Sequence, residues 1–130
     1  MSNYTFCLKT PQGEYTLFAI TLDDLHIEDS ILSKEQIKDL ISHHEEIIRK
    51  KQHLILQNQM DIAVLEGRIA KVTKKEIYEV IARQVDQHKA IIFILEDELC
   101  KYLHDLSRLQ LLIDILQSNP DCKLIAQQKK

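Results

Sequence analysis

Residues 41–69 read ISHHEEIIRKKQHLILQNQMDIAVLEGRI, with isoleucine at 41, 48, 55, 62 and 69. A strict seven-residue spacing of branched apolar side chains marks one stripe of a long helix built to pack lengthwise. After a short break Val85, Ile92, Leu99, Leu106 and Ile113 repeat the pattern. The step from Ile69 to Tyr78, the next equivalent position, is nine residues, which neither a heptad nor a single three- or four-residue insertion produces. Thr73 with Glu76 forms a capping box at that break, and Ser33 with Gln36 forms another ahead of the first stripe. The spacing therefore predicts a mainly α fold. Helix 1 covers 33–72, a turn falls near 70–73, and helix 2 covers 73–118, together a long antiparallel, coiled-coil-like helical hairpin with arms of about 55 to 65 Å.

Folding the arms back on each other predicts a register that pairs Ile41 with Tyr102, Ile48 with Leu95, Ile55 with His88, Ile62 with Ile81 and Leu65 with Tyr78. The second stripe of helix 1 is polar in the middle, so His44, Asn58 and His88 are expected to form a polar core layer that sets register. Helix 2 carries apolar residues well outside its own seam, among them Ile91, Phe93, Ile94, Leu103 and Leu111. One partner helix cannot cover that width. The expectation is completion to a four-helix bundle by dimerisation, or docking onto another protein. The residues assigned to that self-association or partner interface are Ile41, Ile48, Ile55, Ile62, Ile69, Val85, Ile92, Phe93, Leu99, Leu106 and Ile113.

Around the helices the pattern changes. Residues 4–22 alternate about Pro11-Gln12-Gly13 and predict a short N-terminal β-hairpin, which must lie on the helices or pair with another sheet. Residues 23–30 are acidic and read as a linker. Ser118-Asn119-Pro120 stops helix 2, and 119–130 reads as a frayed tail. The whole, 1–130, is expected to be a single domain. Cys100, set inside an apolar helix, is expected to be a small core residue.

Functional chemistry is sparse. The net charge of −3, with acids and bases mixed, gives no global attraction for nucleic acid or anionic lipid. Three cysteines without zinc-ligand spacing point to reduced thiols in a cytoplasmic setting. The longest apolar run, 90–95, is far below the roughly 20 residues of a membrane span. Gly13 and Gly67 are the only glycines, so no phosphate loop exists, and neither His104-Asp105 nor Glu96-Asp97-Glu98 forms a converging pair on a helix. No catalytic group, cofactor or metal site is expected. Arg68, Lys71, Lys74 and Lys75 crowd the hairpin tip, and Lys74 and Lys75 meet the positive end of the second helix dipole, a placement suited to contacting an anion. The expected function is a non-enzymatic protein-protein interaction module: a small regulator that binds and inhibits, chaperones or adapts a larger protein, with homodimerisation. A nucleic-acid-binding regulator using the basic tip is the alternative. Lysine-, glutamine- and isoleucine-rich usage suits a bacterial chain, and a patternless export signal for delivery to a host is compatible with it.

Overall fold

The computed structural model describes residues 2–22 and 30–129. Its elements are β1 (Ser2–Thr10), β2 (Gly13–Leu22), β3 (Ser30–Leu32), α1 (Lys34–Ile69), α2 (Lys75–Ser118) and β4 (Lys123–Lys129). The chain is mainly helical, and its contacts divide it into two compact units, Met1–His43 with Asp105–Lys130, and His44–His104.

The first unit is an antiparallel sheet of order β2-β1-β4-β3 packed on the flanking turns of α1 and α2. The β1–β2 connection follows from its residues. The Thr10 hydroxyl donates to the Gly13 carbonyl at 3.1 Å and accepts from the Gln12 amide at 3.2 Å. Gly13 has φ +150°, a region that a side chain disfavours. Alternation then sends Tyr4 and Phe6 to one face of the sheet with their neighbours Ile20 and Ala126, while Leu124 and Leu32 extend that face across β4 and β3. Against them stand Ile37 and Leu40 of α1 and Leu109 and Leu112 of α2. Ile41, Ile113 and Leu116 pack at the rim of this core. A bulge between Phe6 and Cys7, where Leu17 is the extra residue of β2, reverses the alternation beyond it.

The longer of the two edge strands is β2, and it is guarded. Arg108 of α2 donates from Nη1 to the Ala19 carbonyl at 3.4 Å and sets its guanidinium 5.3 Å from the Phe18 ring. A charged side chain laid on an edge strand obstructs pairing with another chain.

Both ends of the helical segment in this unit are capped as their residues dictate. The Ser33 amide donates to Gln36 Oε1 at 2.8 Å and the Gln36 amide to Ser33 Oγ at 3.3 Å, the reciprocal bonds of a capping box. Asn119 donates from its amide nitrogen and from Nδ2 to the Ile115 carbonyl, and the Cys122 amide closes on the Asn119 carbonyl.

That turn corrects the reading of 119–130 as a frayed tail. Residues 123–129 form β4, an inner strand between β1 and β3, with Leu124 and Ala126 fully buried. Its two inward side chains are too few, and Ala and Gln too weak as strand formers, to signal it; pairing on both sides supplies the stability. Of the expected linker, residues 23–29 lie outside the described residues, and Ser30 begins β3.

Replacing Leu124 by Ala should cost about 2–5 kcal/mol, because it empties a buried site. Gln127→Ala, exposed on the strand, should stay within about 0.5 kcal/mol. Urea unfolding of both checks this, and equal small effects would restore the frayed tail.

Candidate interaction surface

The second unit, His44–His104, is a hairpin of α1 and α2 alone. Its turn begins where α1 ends at Ile69. The Lys71 amide bonds the Arg68 carbonyl and the Val72 amide the Ile69 carbonyl, tightening the last turn. The first bond of α2 runs from the Tyr78 amide to the Lys74 carbonyl at 3.1 Å, so Lys74 occupies the cap. This is one residue later than the Thr73–Glu76 box implies, and helix 1 ends three residues before 72.

Cross-helix contacts give the register. His44 meets Tyr102 with ring centroids 5.6 Å apart at 60°, Lys51 forms an ion pair with Glu98, and Asn58 Oδ1 lies 2.7 Å from His88 Nδ1. Lys51 Nζ also sits 5.5 Å from the Tyr102 ring. This corrects the expected register by three residues: His88 meets Asn58, not Ile55, and Tyr102 meets His44, not Ile41. The physical reason is polar matching. The observed slide faces the polar residues of one seam with those of the other, whereas the expected one sets an imidazole on isoleucine. The Asn58 amide is oriented by its Nδ2, which donates to the Leu54 carbonyl at 2.8 Å. Its oxygen is then the acceptor, so His88 donates from Nδ1.

The expected interface residues are mostly turned inward. Ile48 and Val85 are buried, and Ile55, Ile62, Ile69, Ile92 and Leu99 are half-buried along the hairpin. Leu106, also half-buried, belongs with Ile41 and Ile113 to the first unit. Phe93 alone of that set stands out, 74% exposed. Of the expected polar layer, Asn58 and His88 are joined to each other and His44 is buried beside Tyr102. At the tip Arg68, Lys71, Lys74 and Lys75 are exposed, and Lys75 forms an ion pair with Glu79 at 3.9 Å. Cys100 is exposed, not in the core.

Sequence spacing by core seams misses the surface that the hairpin offers. Between His44 and His104 only His44, Ile48, Leu65 and Val85 are buried, while eleven of the fourteen exposed large apolar side chains among the described residues fall there. They gather in two patterns. On α1, Leu56, Met60 and Val64 recur every four residues. On α2, Ile77, Val80, Ile91 and Ile94 recur at steps compatible with three and four. A hollow beside Arg49, Lys50, His53 and Leu54 is bounded by one helix and lined by exposed side chains. Among the described residues no cluster of His, Cys, Asp and Glu could hold a metal ion, and no helix is long and apolar enough to cross a membrane. No protein-family model, curated protein or solved structure matches the chain.

Asn58→Ala removes the acceptor of the His88 N–H and should destabilise by about 1–3 kcal/mol. Asn58→Leu with His88→Leu should recover most of that loss. A double-mutant cycle by thermal unfolding that finds no coupling would show the bond to be idle.

Proposed function

We propose that the chain is a non-enzymatic protein-interaction module, a small regulator that binds a larger protein through the outward apolar faces of its helical hairpin. The observation that carries this reading is the imbalance in residues 44–104, with four buried side chains against eleven exposed large apolar ones. Large apolar side chains left outside in this number favour a docking surface over a free one. The α1 ridge Leu56–Met60–Val64 favours a helical partner. Side chains at i, i+4 and i+8 form an inclined ridge that seats in the groove of a helix crossing at about −50°. Methionine at its centre adapts to an irregular counterpart.

The test is affinity capture from cells expressing the tagged chain, with Met60→Glu/Val64→Glu as the comparison. Both positions are exposed, so the variant should keep its helical circular dichroism and unfold within about 1 kcal/mol of the parent. The expected result is a defined protein retained by the parent in high salt and lost with the variant. Capture that the variant leaves intact would overturn the α1 face as the docking site. Retention of nucleic acid instead, falling steeply as salt rises, would overturn the reading in favour of the basic tip.

A further inference from the structure

We draw no further inference here: the strongest candidate, the exposed apolar stripe of Ile77, Val80, Ile91 and Ile94 along α2, is an unpartnered helix face, and nothing in the structure shows what covers it.

Discussion

Two helices packed on each other can bury one stripe apiece, and the character of residues 44–104 follows from that limit. Ile48, Leu65 and Val85 take the shared seam. Ile55, Ile62, Ile69, Ile92 and Leu99 line the hairpin half-buried, and α2 has more apolar side chains than a single seam can use. In the first unit the same two helices meet a third layer. There Ile37, Leu40, Leu109 and Leu112 vanish beneath Tyr4, Phe6 and Leu124. The contrast between a covered and an uncovered pair of helices is why the exposed large apolar side chains concentrate on the hairpin.

The hairpin's seam is not optimised for burial. Three of its contacts are polar or charged: His44 with Tyr102, Lys51 with Glu98, and Asn58 with His88. Well-packed hydrophobic layers would be at least as stable. What the polar layers add is discrimination, because a slide of one helix along the other strands an amide or imidazole against hydrocarbon, and that penalty selects one alignment.

Much of this was legible in the chain. The two heptad runs located both helices, the Ser33–Gln36 box located the start of α1, and the alternation about Gly13 located the β-hairpin. The errors share a cause. The register was assigned from apolar spacing alone, when the discriminating contacts are polar and the turn is longer than its capping signals imply. β4 was missed because a strand that pairs on both sides can be stable with only Leu124 and Ala126 turned inward. The isoleucines at seven-residue spacing were read as a surface for partners because one dimension of sequence does not distinguish an inward stripe from an outward one. The exposed ridge Leu56–Met60–Val64 was visible only as scattered hydrophobics.

The sequence by itself determined the number, length and amphipathic character of the helices and the hairpin that precedes them, since these depend on local periodicity and capping, which act over a few residues. It also determined the absence of the familiar catalytic motifs, because those need residue types at fixed spacing. Only the tertiary structure decided which stripe of each helix is spent internally, that the C-terminal residues enter the middle of the sheet, and that His88 bonds Asn58. Those outcomes depend on contacts between residues tens of positions apart, where differences of polar satisfaction and available cover outweigh local preference.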